Sequence, residues 1–150
     1  MIGIHKVIAS VFGIGFIKGG GTLAAIVCCL LWLLLPRDQS AMWWQLVLTV
    51  LITALGIWSG NVVDAYWGKD SSKVVIDEVA GMMVTLLFFP VEWKYVLAGL
   101  ILFRFFDIVK PFYIKKAELL PKGIGVMADD ILAGVYAHLV LMIIVKLNVF

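Results

Sequence analysis

The sequence predicts an all-α fold, a polytopic bundle of membrane helices that forms a single domain over residues 1–150. Hydrophobic residues make up 63% of the chain and charged residues 15%, and the mean hydropathy is +1.08. Soluble domains are about half apolar and about a quarter charged. The apolar residues gather in blocks of roughly 15 to 22 residues, close to the length that a helix needs to cross a bilayer. The formal net charge of +2 is too small to indicate nucleic-acid binding.

The N-terminal segment, residues 2–17, is apolar but interrupted by Gly13 and Gly15. It is too short and too broken for a firm span, so we expect an interfacial or re-entrant helix. The glycine turn KGGGT, residues 18–22, follows. Its backbone N–H groups can face an anion, and Thr22 is a candidate N-cap of the next helix. The sequence leaves open whether this turn is a flexible linker or a ligand loop.

Five apolar blocks come next, and from them we expect four firm transmembrane helices. Pro36, Pro90 and Pro111 end three of the blocks, since proline cannot continue a helix. Residues 112–122 are amphipathic with a lysine pair, which indicates a short segment at an anionic membrane surface. The blocks cover residues 23–35, about 45–66, 73–90, about 92–110 and 129 to about 145.

Two adjacent carboxylates, Asp77 and Glu78, lie inside the third block, in the motif IDEVAG. Ionised carboxylates in hydrocarbon cost several kcal/mol unless something neutralises them. The nearest cation in the sequence, Lys73, lies at the start of the predicted helix and not beside them. Either the pair is protonated or a cation from elsewhere in the fold lies against it. This pair is therefore the strongest indication of a functional site.

The distribution of charge assigns a side to that site. Threading the spans in order places eight lysines on one face and three basic residues on the other, so the first face is expected in the cytoplasm. The eight are Lys6, Lys18, Lys69, Lys73, Lys110, Lys115, Lys116 and Lys122; the three are Arg37, Lys94 and Lys146. Eight acids share the cytoplasmic face: Asp64, Asp70, Asp77, Glu78, Asp107, Glu118, Asp129 and Asp130. Acids contribute little to topology, so their clustering predicts a site.

Carboxylates from several helix ends, with few histidines and no usable thiol, form the oxygen ligand set that Mg²⁺ prefers. Arg104, Lys110 and the glycine turn supply donors for a phosphate on the other side of such an ion. Gly81 and Gly134 each follow an aspartate by one helical turn. Glycine at that spacing permits close approach of a partner helix or a lipid head group.

Several of these residues also have a purely structural interpretation. Arg104 with Asp107 fits a simple intramembrane ion pair, and the aspartates at the start of the last span fit partners of the helix dipole. A lone His138 on an apolar helix fits core packing better than ligation. His5 lies beside the predicted cluster and fits either role.

Four blocks of the chain resemble the signature blocks of the phosphatidylglycerophosphatase A family, in the same order: FGIGFIKGGGTLAAI, DAYWGKDSSKVVIDEVAG, FRFFDIVKP and GIGVMADDILAG. The resemblance implies a Mg²⁺-dependent integral membrane phosphatase of the bacterial inner membrane, with its active site on the cytoplasmic side. The implied reaction removes the terminal phosphate of phosphatidylglycerophosphate and yields phosphatidylglycerol and phosphate. The family usually has a proline where this chain has Gly20, which makes the loop more flexible.

The resemblance also assigns roles to residues of this chain. The expected catalytic residues are Asp77, Glu78 and Asp130. The expected metal ligands are Asp64, Asp77, Glu78, Asp129 and Asp130. The expected substrate-binding residues are His5, Gly21, Thr22, Asp70, Arg104, Asp107 and Lys110.

The predicted mechanism is metal-assisted hydrolysis of a lipid phosphate monoester, with the acyl tails in the bilayer. Water and an aspartyl side chain both stay open as the nucleophile. A phosphatase of another lipid or isoprenoid monoester is one alternative. A small divalent-cation or proton-coupled carrier is another, although the far halves of the spans are wholly apolar. The expected partners are a phospholipid substrate and the bilayer.

Overall fold

The computed structural model describes residues 2–38, 40–69, 71–111, 113–117 and 119–149, apart from the side chains of residues 41 and 122. Within these residues the chain is helical and has no strand, which confirms the predicted all-α class. The helices are α1 (Ile2–Ala9), α2 (Gly20–Trp32), α3 (Ser40–Trp67), α4 (Ile76–Leu86), α5 (Trp93–Val109), α6 (Ile114–Ala117) and α7 (Lys122–Lys146), with a 3-10 helix (Ile14–Phe16) between α1 and α2.

Two of the described helices are long and apolar enough to cross a membrane: Met42–Trp67 within α3 and Gly123–Lys146 within α7. Only 28% and 33% of their most apolar stretches are buried inside the protein. The core helix of a soluble domain would be mostly buried, whereas these apolar surfaces face outwards, as hydrocarbon-facing surfaces do. The two helices therefore indicate association with a membrane.

By length, two of the described helices qualify as spans, not the four that the sequence predicts. The helices α2, α4 and α5 have 13, 11 and 17 residues. At about 1.5 Å per residue, α4 covers only about half of a hydrocarbon layer that is about 30 Å thick. The helix begins only at Ile76 and ends at Leu86 because the flanking residues make other contacts or adopt other conformations. The Val75 N–H donates to the Ala9 carbonyl at 2.9 Å, and Leu87 turns into an extended conformation.

The N-terminal segment does not form a span either. The eight residues of α1 cover about 12 Å. The chain then turns through positive φ angles at Val11 (48°), Phe12 (56°) and Gly13 (94°). This broken course agrees with the expected interfacial or re-entrant segment. The predicted amphipathic segment near the last span is reduced to the four residues of α6.

The helices α4 and α7 form the centre of the bundle, with their backbones in contact at two glycines. A Cβ atom added at Gly81 would lie 2.5 Å from the Asp130 carbonyl oxygen, and one added at Gly134 would overlap the Gly81 carbonyl oxygen. The close approach expected at these glycines is thus confirmed. Further along, the Thr85 hydroxyl donates to the Gly81 carbonyl at 3.0 Å, and His138 Nδ1 lies 3.2 Å from the Thr85 carbonyl. His138 therefore has the core role expected for it.

The long helix α3 fixes both ends of this pair. Near its start, the buried Gln45 side chain accepts a hydrogen bond from the Phe88 N–H at 2.7 Å and donates to the Phe89 carbonyl at 3.1 Å. Near its end, the Asn61 side chain accepts a hydrogen bond from the Gly123 N–H at 3.1 Å. The first contact holds the turn that follows α4, and the second caps the first turn of α7, which orients the end that carries the carboxylates.

Candidate active site

Three carboxylates from two helices meet at one end of the α4–α7 pair. Asp77 and Glu78 lie in the first turn of α4, and Asp130 lies in the first half of α7. One oxygen atom of each lies within 4.8 Å of the other two. The aspartates are 93% and 96% buried, and Glu78 Oε2 is buried with no hydrogen-bond partner in the described part of the chain. Like charges this close repel unless a cation or shared protons intervene, and the three oxygen atoms are close enough together to bind one cation.

The glycine contact explains why these carboxylates meet. Gly81 and Gly134 each lie four residues after the aspartate on their own helix, on the same helix face. Because the two backbones touch at the glycines, the faces one turn earlier are brought together as well. Asp77 and Asp130 are therefore placed by backbone contact and not by flexible side-chain reach.

Arg104 and Asp107 form an ion pair three residues apart on α5. The Asp107 carboxyl group lies next to that of Asp130, and the Arg104 guanidinium faces Glu78. Arg104 Nε is buried with no hydrogen-bond partner among the described residues. The pair is thus the ion pair that the sequence allows, and it also borders the carboxylate cluster on its α5 side.

Lys110 and Asp129 form a second ion pair, with Lys110 Nζ at 2.5 Å from Asp129 Oδ2. Lys110 ends α5 in a left-handed conformation (φ 44°, ψ 56°), which turns the chain toward α7. Asp129 was expected to bind metal with Asp130, but the three-carboxylate group does not include it. Adjacent residues on a helix point about 100° apart, so Asp129 and Asp130 face different neighbours.

An open cleft of about 590 Å³ adjoins Glu78, one of the three carboxylates, and the glycine turn forms one of its walls. The helix α2 starts at Gly20, so the backbone N–H groups of its first turn are at the cleft. Gly21 touches the Glu78 carboxyl group so closely that a Cβ atom there would overlap Oε1. The cleft is lined by Gly15, Phe16, Ile17, Lys18, Gly19, Gly20, Gly21, Thr22, Ser72, Lys73, Glu78 and Arg104.

The sequence was wrong about the cap of α2. Gly19, in a left-handed conformation (φ 79°, ψ 21°), occupies the N-cap position, and Thr22 lies inside the first turn. The Thr22 side chain is exposed and lines the cleft, so it is available to a ligand. Of the two interpretations that the sequence left open, the position of the turn favours the ligand loop.

The family model described as phosphatidylglycerophosphatase A (PgpA) matches residues 7–145. The chain belongs to this family. It is therefore a phosphatase, and the resemblance seen in its four motifs is confirmed.

Individual relatives carry two different names. A Bacteroides thetaiotaomicron protein named "Putative phosphatidylinositol-3-phosphatase" is 42% identical over 138 residues, which cover 87% of this chain and 86% of that protein. The Haemophilus influenzae phosphatidylglycerophosphatase A is 41% identical over 98 residues, 63% of this chain and 60% of the relative. The Escherichia coli phosphatidylglycerophosphatase A is 37% identical over 122 residues, 77% of this chain and 66% of the relative. No solved structure matches the chain.

Three residues assigned from the phosphatidylglycerophosphatase A motifs lie apart from the carboxylate group or outside the described residues. Asp64, expected as a metal ligand, is half-buried and lines a separate cavity of about 10 Å³. His5 is buried with its ring 4.4 Å from that of Trp58, so it packs between α1 and α3. Asp70 lies outside the residues that the structure describes.

The structure also adds residues to the site that sequence reasoning left out. Lys18, Ser72 and Lys73 all line the cleft. In the sequence, Lys73 is the cation nearest to Asp77 and Glu78, but it lies at the start of the predicted helix and not beside them. The signal for its role was its place between the glycine turn and IDEVAG, two motifs that the fold brings side by side. Sequence spacing alone does not report that contact.

Proposed function

We propose that this phosphatase hydrolyses the terminal phosphate monoester of phosphatidylglycerophosphate, with Mg²⁺, at the cytoplasmic face of the bacterial inner membrane. The single observation that carries the proposal is the union of two half-sites. The group of three carboxylates, Asp77, Glu78 and Asp130, borders through Glu78 a cleft whose wall includes the first turn of α2. The family assignment supports the phosphatidylglycerophosphatase activity.

The donor set fits a hard divalent cation. All three side chains offer carboxylate oxygens, and Glu78 Oε2 is a buried acceptor without a partner among the described residues. Mg²⁺ prefers oxygen ligands and is commonly bound by one or two carboxylates together with a substrate phosphate. Asp77, Glu78 and Asp130 would hold the ion. When bound, it supplies positive charge that offsets the phosphate and polarises the phosphoryl oxygens.

The phosphate monoester binds in the cleft, next to the carboxylates. The backbone N–H groups at the start of α2 can donate to an anion in the cleft, and the Thr22 hydroxyl adds a donor. Arg104 lines the same cleft and donates to phosphate oxygens from the α5 side. Gly21 permits the close contact between the glycine turn and Glu78. The loop and the carboxylates thus approach the same phosphate from two sides.

The protein's own carboxylates accept the proton that the attacking water releases. In hydrolysis by water, the water oxygen forms a bond to phosphorus, the bond from phosphorus to the glycerol oxygen breaks, and the departing oxygen takes up a proton. Asp77 or Asp130 accepts the proton of the attacking water as general base. Attack by an aspartate instead forms an acyl phosphate, which water then cleaves. Acid quenching during a single turnover of ³²P-labelled substrate traps the acyl phosphate as labelled protein in the second route and leaves the protein unlabelled in the first.

The bilayer completes the site. We propose that α2, α4 and α5 lie within the membrane together with the two long spans, which gives a multi-pass protein with the four or more crossings that the apolar blocks suggest. The lysines near the cleft face the cytoplasm by the positive-inside tendency. The acyl tails stay in hydrocarbon beside α3 and α7, so the enzyme needs to accommodate only the head group.

Phosphatidylinositol 3-phosphate is the second candidate substrate, because the 42% identical relative from Bacteroides thetaiotaomicron carries that specificity in its name. It is also a lipid with a terminal phosphate monoester. A cation carrier is disfavoured by the position of the acids. A carrier needs ionisable groups along the membrane depth, whereas the three-carboxylate group lies at one end of the α4–α7 pair.

The test uses the full chain, purified in detergent, and measures phosphate release from phosphatidylglycerophosphate, phosphatidylinositol 3-phosphate and an isoprenoid monophosphate. We expect the first to be hydrolysed fastest, with activity lost in excess chelator and restored by Mg²⁺. Asp77→Asn should lose activity, whereas Glu92→Gln, an exposed acid paired with Lys94 at 3.5 Å, should retain it. Full activity of Asp77→Asn or full activity in chelator would overturn the carboxylate–metal mechanism, and faster turnover of the inositol lipid would reassign the substrate.

A further inference from the structure

The cations around the site are not equally available to a ligand. Arg104 is paired with Asp107, and Lys110 is paired with Asp129. Lys73 lines the cleft, is exposed, and forms no ion pair with an acid in the described part of the chain. Lys73 therefore brings to the cleft a positive charge that no ion pair among the described residues neutralises. This charge was not among the phosphate-binding groups expected from the sequence.

Aromatic packing, and not an acid, positions Lys73. Its ammonium lies 5.8 Å from the centre of the Trp67 ring and 6.0 Å from that of Phe16. A ring face attracts an ammonium without neutralising it, so the charge stays available to an anion. The Lys73 carbonyl oxygen packs directly against Gly15, where a Cβ atom would overlap it. Both contacts hold the residue at the Phe16 end of the cleft.

Two backbone contacts define the direction of the cleft. Gly15 touches Lys73, and Gly21 touches the Glu78 carboxyl group. The glycine turn and the segment that leads into α4 therefore run side by side, with Lys73 at one end and Glu78 at the other. Five peptide units separate Lys73 from Glu78, so their Cα atoms are at most about 17 Å apart. The cleft thus has a cationic end and a carboxylate end within reach of one head group.

We propose that Lys73, with Lys18 and the Ser72 hydroxyl, forms a second anion subsite that binds the phosphodiester of the lipid while the Glu78 end receives the terminal monoester. This inference rests on the proposed function, because it assumes a substrate that carries both kinds of phosphate. In such a lipid the two phosphates are joined by a short polyol. A lipid with a monoester alone leaves the Lys73 end without a ligand. Lys73 is therefore a specificity-determining residue that favours two-phosphate lipids.

A different role would also follow from an exposed lysine near a membrane. Lys73 would then attract any anionic lipid surface, as basic residues outside spans generally do. The two roles differ in one respect: surface attraction acts on every anionic substrate alike, whereas a phosphodiester subsite acts only on lipids that carry a phosphodiester. A comparison of two substrates at constant surface charge therefore separates them.

The experiment compares wild type with Lys73→Met on phosphatidylglycerophosphate and on phosphatidic acid, which has only the monoester. Both are presented in mixed detergent micelles of fixed surface charge. We expect Lys73→Met to lower kcat/KM for phosphatidylglycerophosphate about tenfold through KM, with less than a twofold change for phosphatidic acid. Lys73→Arg should recover most of the loss. Lys69→Met, an exposed lysine that does not line the cleft, should match wild type. An equal loss on both lipids, or no loss on either, overturns the subsite.

A binding measurement keeps this test separate from that of the proposed function. In the Asp77→Asn background, calorimetric titration with the two lipids gives affinities without turnover. A tenfold weaker binding of phosphatidylglycerophosphate in Asp77→Asn/Lys73→Met than in Asp77→Asn, with phosphatidic acid unaffected, supports the subsite even if the wild type hydrolyses neither lipid. Equal affinities in the two variants overturn it, whatever the hydrolysis assay gives.

Discussion

Buried polar groups near the two ends of α4 differ in whether they have hydrogen-bond partners. At its C-terminal end, the Gln45 side chain is buried and its amide is hydrogen-bonded on both sides, to the Phe88 N–H and the Phe89 carbonyl. At its N-terminal end, Glu78 Oε2 and Arg104 Nε are buried without a hydrogen-bond partner among the described residues. Three carboxylates also crowd together at that end.

The difference distinguishes structure from function. A satisfied buried polar group stabilises the fold, whereas a buried polar atom without a partner costs about 1–3 kcal/mol. A ligand bound at the N-terminal end of α4 would offset this cost, whereas the C-terminal end needs none. Substitutions at the carboxylate end should therefore change catalysis and spare stability, and substitutions at the Gln45 end should do the reverse.

The largest effect is expected for Asp130→Asn. Loss of this carboxylate removes a proposed metal ligand and general base, so kcat should fall by about 10²- to 10⁴-fold. The melting temperature in detergent should not fall, because one of three mutually repelling carboxylates is gone. Phosphate-release kinetics and thermal unfolding measure the two quantities. A variant that unfolds at a much lower temperature than wild type would contradict the assignment of this end to function.

The next effect is expected for Gly21→Ala. A Cβ atom at this position overlaps the Glu78 carboxyl group and must displace it, and a shift of about 1 Å in a catalytic group costs about 10²-fold in rate. Gly3→Ala is the matched control, because a Cβ atom there meets nothing within 4 Å.

A double variant tests the cause of the Gly21→Ala effect. The shorter side chain in Glu78→Asp withdraws the carboxyl group from the added methyl. If displacement is the cause, Gly21→Ala/Glu78→Asp should be less impaired than the product of the two single effects. If the two effects on kcat/KM were simply multiplied in the double variant, the added methyl at position 21 would act on another part of the loop and not on the Glu78 carboxyl group.

A smaller effect is expected for Lys110→Met. Loss of the ammonium that pairs with Asp129 makes the potential near Asp130 more negative. The concentration of Mg²⁺ that gives half-maximal activity should therefore fall, and KM for the anionic lipid should rise about threefold to tenfold. Titration of activity with Mg²⁺ and with lipid gives both values. A rise in KM without a fall in the Mg²⁺ requirement would mean that Lys110 contacts the substrate and not only Asp129.

The smallest effect on catalysis is expected for Gln45→Leu. The substitution leaves the Phe88 N–H and the Phe89 carbonyl without their buried partner, which should destabilise the fold by about 1–3 kcal/mol. The turnover number of the folded protein should stay within twofold of wild type. Unfolding in denaturant and kcat measured on the same preparation check both statements. A tenfold drop in kcat would show that the two ends of α4 are coupled.

The sequence predicts much of this fold, because long apolar blocks of membrane helices are recognisable from composition alone. It predicts the all-α class, a site that combines the carboxylates of IDEVAG and MADDILAG, and glycines that permit close approach of a partner helix or a lipid head group. It overestimates the length of the helix in the third apolar block. Apolar composition continues beyond Leu86, where the chain leaves the helix, and hydropathy does not register that change of conformation.

Some predicted site residues lie apart from the carboxylate group because neighbours in sequence are not neighbours in space. Asp129 follows the same motif as Asp130 but turns to Lys110, and Asp64 lines a separate cavity. Lys73 was missed for the opposite reason. Its contacts with Gly15 and Phe16 join segments that are almost sixty positions apart, and no local pattern predicts them.

The crossing of α4 and α7 at Gly81 and Gly134 acts as a pivot for the active site. Asp77 and Asp130 each lie four residues, or about 6 Å, from the pivot along their helices. A tilt of about 10° between the helices therefore moves one carboxylate relative to the other by about 1 Å. Membrane helices relieve a mismatch with bilayer thickness by tilting. A change of bilayer thickness that altered this crossing angle would therefore change the spacing of the carboxylates.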